Sequence, residues 1–325
     1  MGKWIGGGLF SAALLVTLLL SAGVVLGLAR DDTARRPYAA AAAAVTAPAV
    51  TTPTAAPTGF QPPQESSLAD DEFGKVVRQG KEIFVHTDTA LPQFVGNHLQ
   101  CQSCHLDAGR KADAAPLWGA YGLYPAYRAK NHHVNTFSER LRECFRYSMN
   151  GKMPPPDDAA LVALESYAFW MAKGAPTGVK LEGAGFPKLA KPALLADYVR
   201  GSQVYDQRCA ACHQANGGGA ALGTMQVPAL WGDGSYNWGA GMHQVRNAAG
   251  FIKANMPLGQ GNSLSDQQAW DLALFIDSHE RPQDPRYTGS VADTRRLYHD
   301  DEDSMYGRTV NGHLLGSGSH PAGMP

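Results

Sequence analysis

Apolar and polar positions divide the chain into segments of different character. Residues 5–29 are almost continuously apolar, with Lys3 ahead of them and Arg30 closing them. Residues 31–67 are rich in Ala, Thr and Pro and poor in bulky apolar groups, which suits a linker with no core of its own. Helical spacing of apolar residues then recurs over 68–175 and again over 195–285. Gly and Pro punctuate the stretch between them, 176–194, and predict a second linker. Residues 286–325 have no period and include the acidic run Asp300 to Asp303, so they read as a tail that wraps the surface or is disordered.

Helix ends can be read more closely. Thr136 followed by Glu139 is a capping box, so a helix is expected to start near Phe137. It should stop at Asn150-Gly151, because Gly tolerates the left-handed conformation of a helix end. Residues four apart share a face, which puts Arg140, Cys144 and Ser148 on one stripe, with Leu141 and Phe145 beside it toward the core. Further helices are expected over Asp158 to Lys173 and from Ser265, with Gln268 completing a capping box, to His279. Strand signals are weak.

The two helical regions repeat one another. Gly80-Lys-Glu-Ile-Phe84 matches Gly201-Ser-Gln-Val-Tyr205, and Leu117-Trp-Gly119 matches Leu230-Trp-Gly232. Met153-Pro154 and Met256-Pro257 each stand before a helix. The fold class expected is therefore mainly α, with two similar domains in tandem behind an N-terminal membrane-spanning or signal helix.

Cysteine usage says what the repeat holds. Four of the five cysteines lie in Cys101-x-x-Cys104-His105 and Cys209-x-x-Cys212-His213. Such a motif alone also suits zinc or a redox dithiol, but twice in repeated surroundings it points to c-type haem. The cysteines bond to the haem vinyl groups, and His105 and His213 become the proximal iron ligands. Two covalent haems would then supply much of each domain's core, with Trp118 and Trp231 packing against them. In the second domain Met256 follows His213 at the place where a small cytochrome c supplies its axial methionine, with Met242 as a fallback. In the first, the repeat puts Met153 at the matching position, while Cys144 competes from one helix upstream; spacing leaves the choice open. His132 and His133 read as surface or propionate partners, and His243 and His279 as ordinary histidines.

Charge adds one feature. Among 325 residues the net charge is -1, which gives no reason to expect a nucleic-acid partner. Between Pro125 and Met153, however, Arg128, Lys130, Arg140, Arg142, Arg146 and Lys152 face only Glu139 and Glu143. That excess around Cys144 suits a small anionic substrate. A cation one turn below a sulfur favours its thiolate. The apolar run 5–29 is long enough to cross a bilayer, which favours an anchor, although Gly27-Leu28-Ala29 also suits cleavage as a signal peptide. Either way the rest is expected on the periplasmic side, tethered to the inner membrane or released, where haem is attached to cysteines.

The segment Leu117-Trp-Gly-Ala-Tyr-Gly-Leu-Tyr-Pro125, with Glu139-Arg140, Glu143-Cys144-Phe145 and Ser148-Met-Asn-Gly-Lys152, resembles the dihaem thiosulfate dehydrogenase (tetrathionate-forming) family. More distantly it is similar to the haem cytochrome subunit of the Sox thiosulfate-oxidising complex. The likeness covers about residues 70–285. It implies two single-haem cytochrome c domains, with Cys144 as distal ligand of the first iron and as catalytic residue. Arg140, Ser148 and Lys152 are implied near the substrate, with Arg128 or Lys130 as a further cation. The implied reaction joins two thiosulfates into tetrathionate, possible in either direction, and passes electrons through a His/Met haem to a soluble acceptor such as a small cytochrome c. The competing readings are a non-catalytic dihaem carrier with Met153 as ligand, and a tethered electron-delivery subunit of a membrane complex.

Overall fold

A computed structural model describes residues 59–223 and 225–318. The apolar run 5–29 and most of the Ala/Thr/Pro stretch lie outside the described residues. Among the described residues no helix is long and apolar enough to cross a membrane. The longer helices are α1 (Glu72–Val85), α2 (Phe137–Tyr147), α3 (Ala159–Met171), α4 (Tyr198–Arg208), α5 (Val245–Asn255), α6 (Asp266–Asp277) and α7 (Val291–Tyr298). Antiparallel hairpins join β1 (Ala126–Arg128) to β2 (His133–Asn135), β3 (Ala220–Leu222) to β4 (Met225–Val227), and β5 (Thr309–Val310) to β6 (His313–Leu314).

Side-chain caps start most of these helices. Asp71, Asp158 and Asp197 accept from Gly74 N, Ala160 N and Arg200 N at the heads of α1, α3 and α4, and Ser265 and Gln268 form a reciprocal box on α6. Each cap satisfies an N–H group that the helix start leaves without a partner.

The internal repeat has a packing cause. In the first lobe α1 crosses α3, and in the second α4 crosses α6, each at the repeated glycine. A Cβ on Gly80 would stand 2.0 Å from Ala163 O, and one on Gly201 2.2 Å from Asp271 O, so neither site admits a side chain. Ring pairs sit beside both crossings, Phe84 with Tyr167 at 5.9 Å and Tyr205 with Phe275 at 5.3 Å. Each lobe thus has its own apolar core, yet by contacts both fall within one compact unit.

Several expectations change here. Thr136 does cap α2, accepting from Glu139 N, but the Glu139 carboxylate turns outward to His133 Nε2 at 2.6 Å, so the box is half formed. The left-handed residue after α2 is Asn150, not Gly151. Gly151 is required for another reason: a Cβ there would lie 1.9 Å from Phe94 O.

The stretch 176–194 does not hang free as a linker. Gly183 O and Gly185 O accept from Asp113 N and Ala115 N in the first lobe. Phe186 packs on Phe251 at 5.5 Å, and Ala190 O accepts from Trp270 Nε1 in the second. Short irregular segments held by backbone bonds leave no period to read. The end of the Ala/Thr/Pro segment is likewise docked, with Phe60 5.7 Å from Trp118 and Arg110 Nη2 donating to Pro63 O at 2.6 Å. Trp118 thus faces Phe60 and donates to Arg110 O; expected from sequence to pack on the haem, it is not among the residues lining the first cavity, whereas its neighbour Leu117 is. Trp231 stacks on His279, 4.2 Å between ring centres.

Residues 286–318 are packed too. Tyr306 and Leu315 are buried in the second core. Asp284 ties this segment down: its Oδ2 accepts from His299 Nε2 at 2.9 Å and from Arg286 Nη2 at 2.6 Å, with Asp284 and His299 buried and Arg286 partly so. Burial opposes the charge on Asp284, but these bonds win and hold its carboxyl well below the usual carboxylate range. A depressed pKa stabilises the fold above the unfolded value of about 3.9 and ceases to do so as pH falls. Asp284→Asn is therefore expected to lower stability by about 3 kcal/mol near neutral pH, with the gap to the parent closing in acid. Thermal melts across that range check it, and a gap independent of pH would refute the ion-pair account.

Candidate functional site

Helix α2 presents Cys144 in its last turn, and the i, i+4 spacing brings Arg140 onto the same side. Arg140 Nη1 donates to Cys144 Sγ across 2.9 Å, and Sγ also lies 3.4 Å from Arg140 O. A guanidinium at that distance stabilises negative charge on sulfur. In return the Cys144 sulfur pushes the Arg140 ionisation further up, against the pull of burial, so the cation is permanent.

Both residues line a cavity enclosing about 1300 Å³, counting its open mouth. Cys101, Cys104 and His105 line the same cavity, as do Ser148 and Met149. His105 Nδ1 donates to Ala115 O at 2.6 Å, which leaves Nε2 with its lone pair. Burial lowers the His105 pKa, the carbonyl bond pulling the other way, so the ring is the neutral imidazole a metal needs. Two thiols, one oriented imidazole and walls of Leu, Phe, Ala and Met meet the requirements of a covalently attached haem. His105 and Cys144 would be its iron ligands.

The second lobe repeats the proximal half. Burial lowers the His213 pKa, and His213 Nδ1 donates to Pro228 O at 3.0 Å. Cys209 is half-buried and Cys212 exposed, while Met256 packs against the second core. Those residues suit a haem with one edge near solvent, with His213 and Met256 as iron ligands.

The other sequence candidates are placed differently. Met153 is 38 % exposed and does not line the first cavity, so it is not placed to compete with Cys144. Met242, the fallback ligand for the second haem, lines the first cavity instead and packs on both cores. Arg128 donates to Tyr124 OH at 2.8 Å, one layer behind the wall that Tyr124 forms. Lys130 is half-buried, with its amine on Gly239 O and over the Tyr147 ring, 3.7 Å from its centre. Burial, then Arg286 and Arg140, push its pKa down to about 7. Lys152 is exposed and outside the wall. Arg142 Nε donates to Pro154 O, and Arg146 Nη2 to Pro285 O. Of the basic cluster between Pro125 and Met153, only Arg140 faces the cavity. A run of charge in sequence says nothing about which way each side chain leaves the backbone.

Sequence reasoning missed Tyr236, which reaches the first cavity from the second lobe as the relocated Met242 does, and Lys180, an exposed cation on the wall. The aperiodic 176–194 segment offered no signal for Lys180. For the two lobes' contact there was none either.

A methionine on the iron should show itself optically. Met256→Ala is expected to abolish the protein's methionine-to-iron absorption band, while Met153→Ala leaves it intact. Loss of a band in Met153→Ala would mean that Met153 is a ligand after all.

Comparison with known proteins agrees with this division. Residues 94–177 match the family described as SoxA/TsdA, cytochrome c domain, and residues 198–280 match the family described as Cytochrome c. A thiosulfate dehydrogenase of Thiomonas intermedia is 55% identical over 258 residues, 79% of this chain and 82% of the relative. One from Stutzerimonas stutzeri is 50% identical over 262 residues, 80% and 85% of the two chains. The solved thiosulfate dehydrogenase TsdBA of Marichromatium purpuratum superimposes with a TM-score of 0.77 at 46% identity, over 80% of this chain. This chain spans 57% of that one.

Proposed function

Since the chain belongs to the thiosulfate dehydrogenase family, we propose that it joins two thiosulfate ions into tetrathionate at Cys144. The observation that carries the reading is the Arg140–Cys144 contact, 2.9 Å long, on the wall of a cavity shared with the first haem-attachment motif.

The haems, one on Cys101, Cys104 and His105 and one on Cys209, Cys212 and His213, supply iron that accepts electrons singly and passes them on. The protein's part is to bring sulfur atoms together. Arg140 attracts the dianionic substrate while holding the Cys144 sulfur by its N–H group. The sulfane sulfur of thiosulfate bonds to Cys144 Sγ, and two electrons leave the pair. A second thiosulfate attacks that same sulfane sulfur; the Cys144–sulfur bond breaks, tetrathionate departs and the cysteine is left as thiolate. Charge balances in both steps, and no proton is needed. Two dianions repel each other, so fixed positive charge is required to bring them to one sulfur. Ser148, on the cavity wall, would donate to a sulfonate oxygen. Lys180 at the wall adds an exposed cation for approach.

Electrons leave by the second haem to a soluble acceptor such as a small cytochrome c, on the periplasmic side. The exposure of Cys212, one of the residues that would hold that haem, supports this. The apolar run 5–29 supports a membrane tether. The test is direct: purified holoprotein with ferricyanide as acceptor should convert thiosulfate to tetrathionate. Fast reduction by small redox partners with no tetrathionate formed would leave an electron carrier instead.

A further inference from the structure

The end of α2 that carries Cys144 is held by the other lobe. Carbonyls in a helix's last turn have no partner within the helix. Here Phe145 O accepts from Gly151 N, and Met149 O just beyond accepts from Gly96 N, both at 2.9 Å. The three carbonyls between them take donors from outside the turn, although Tyr147 O also receives a long local bond from Asn150 N at 3.4 Å. Arg146 O accepts from Asn237 Nδ2 at 2.9 Å, and Tyr147 O from Asn237 N at 3.2 Å. Ser148 O accepts from Asn97 Nδ2 at 3.0 Å, and the same amide group donates to Ser235 O at 3.0 Å.

Asn237 is fully buried and uses its whole amide. Its Nδ2 also reaches Asn150 Oδ1 at 3.1 Å, and its Oδ1 accepts from Gly239 N at 3.0 Å. Gly239 in turn admits no side chain, because a Cβ would lie 2.4 Å from the Tyr147 ring. Its carbonyl takes the Lys130 amine. Tyr236, the neighbour of Asn237, lines the Cys144 cavity. One short strap of the second lobe therefore walls the cavity and closes the helix that bears its sulfur.

We infer that Asn237 is a positioning residue for Cys144: by capping α2 from the second lobe it sets where the sulfur stands in the first cavity. The inference rests on the reading of Cys144 as the reacting sulfur. Without the Asn237 amide and N–H the last turn loses the bonds that fix Arg146 O and Tyr147 O, and Cys144 sits in that turn. Asn97 acts on the same turn through Ser148 O and ties it to Ser235 of the strap.

The test uses full-length holoprotein carrying Asn237→Ala, with Gln283→Ala as the stability control. Gln283 is equally buried and also bridges two segments, donating to Gly316 O and accepting from Tyr306 OH, with no bond to α2. Expected for Asn237→Ala is a fall in kcat of about tenfold or more with KM within about twofold. The electron paramagnetic resonance of the first haem should split into two distal-ligand populations, while the second haem's methionine band stays unchanged. Gln283→Ala should lower the melting temperature without either change. If Asn237→Ala also lowers only the melting temperature, the residue is structural and the inference fails. Should it yield no haem-loaded protein, Asn97→Ala carries the same expectation, and an unaltered first-haem spectrum there overturns it. Cys144→Ala run alongside separates the two claims. If it leaves the first-haem spectrum and turnover intact, the reading of Cys144 falls; if it alters both and Asn237→Ala alters neither, only the positioning role does.

Discussion

Cys144→Ala is expected to lower tetrathionate formation by about 10⁴-fold or more while both haems remain attached, because no other thiol faces the substrate. Cys101 and Cys104 share its cavity but are consumed by the haem, and Cys209 and Cys212 belong to the second motif. Alanine removes the atom that would bond to the first thiosulfate, and neither Arg140 nor Ser148 can replace a polarizable sulfur as nucleophile and leaving group. The assay needs ferricyanide as acceptor, tetrathionate as the measured product, and haem content by optical spectrum. Turnover that survives in a fully haem-loaded variant would discard the covalent route while leaving the activity. Alanine at this position also adds space without disturbing α2, so loss of haem is not expected to confuse the result.

Arg140→Met should cost about 10²- to 10³-fold in kcat/KM, the range found when one preorganised donor to a developing charge is removed. Methionine preserves bulk on the α2 face but removes both the N–H at 2.9 Å from Cys144 Sγ and the cation that draws thiosulfate in. Arg140→Lys should recover only part of the loss. A lysine keeps the charge, yet its compact ammonium does not reproduce a planar group that can serve the sulfur and an oxyanion together. Both kcat and KM should move, since Arg140 acts on substrate binding and on the nucleophile. Because the Arg140 charge is held on by the Cys144 sulfur beside it, no activity change near neutral pH should trace to its titration. A kcat/KM for Arg140→Met within about twofold of the parent would remove Arg140 from the mechanism, and the second haem's methionine band is the internal control for folding.

The two attachment motifs and the Arg140–Cys144 stripe needed no coordinates. A Cys-x-x-Cys-His run is local chemistry, and residues four apart on a helix meet whatever surrounds them. The repeated glycines at 80 and 201 were visible as a pattern, but their reason, a backbone carbonyl some 2 Å from any added Cβ, belongs to the crossing of helices far apart in sequence. Periodicity also failed where backbone bonds do the holding. Residues 176–194 run over the lobes as an irregular strap, and 286–318 hold only the short helix α7 and the β5–β6 hairpin, too brief to show a period and anchored by buried contacts such as Asp284 with His299.

By itself, then, the amino-acid order determined the two haem-attachment motifs in their helical lobes and the cation one turn from Cys144, since each depends on neighbours within a helical turn or two; the choice of Cys144 over Met153 rested on the family resemblance, not on spacing. Only the tertiary structure decided which of six nearby basic residues faces the cavity, that Met153 stands outside it while Met242 reaches in, and that Asn237 closes the cysteine's helix from the other lobe. Those outcomes depend on side-chain direction and on contacts between segments some ninety residues apart, such as Arg146 and Asn237. Neither leaves a local signature, because the free energy that selects them comes from burying and pairing groups that the linear chain keeps apart.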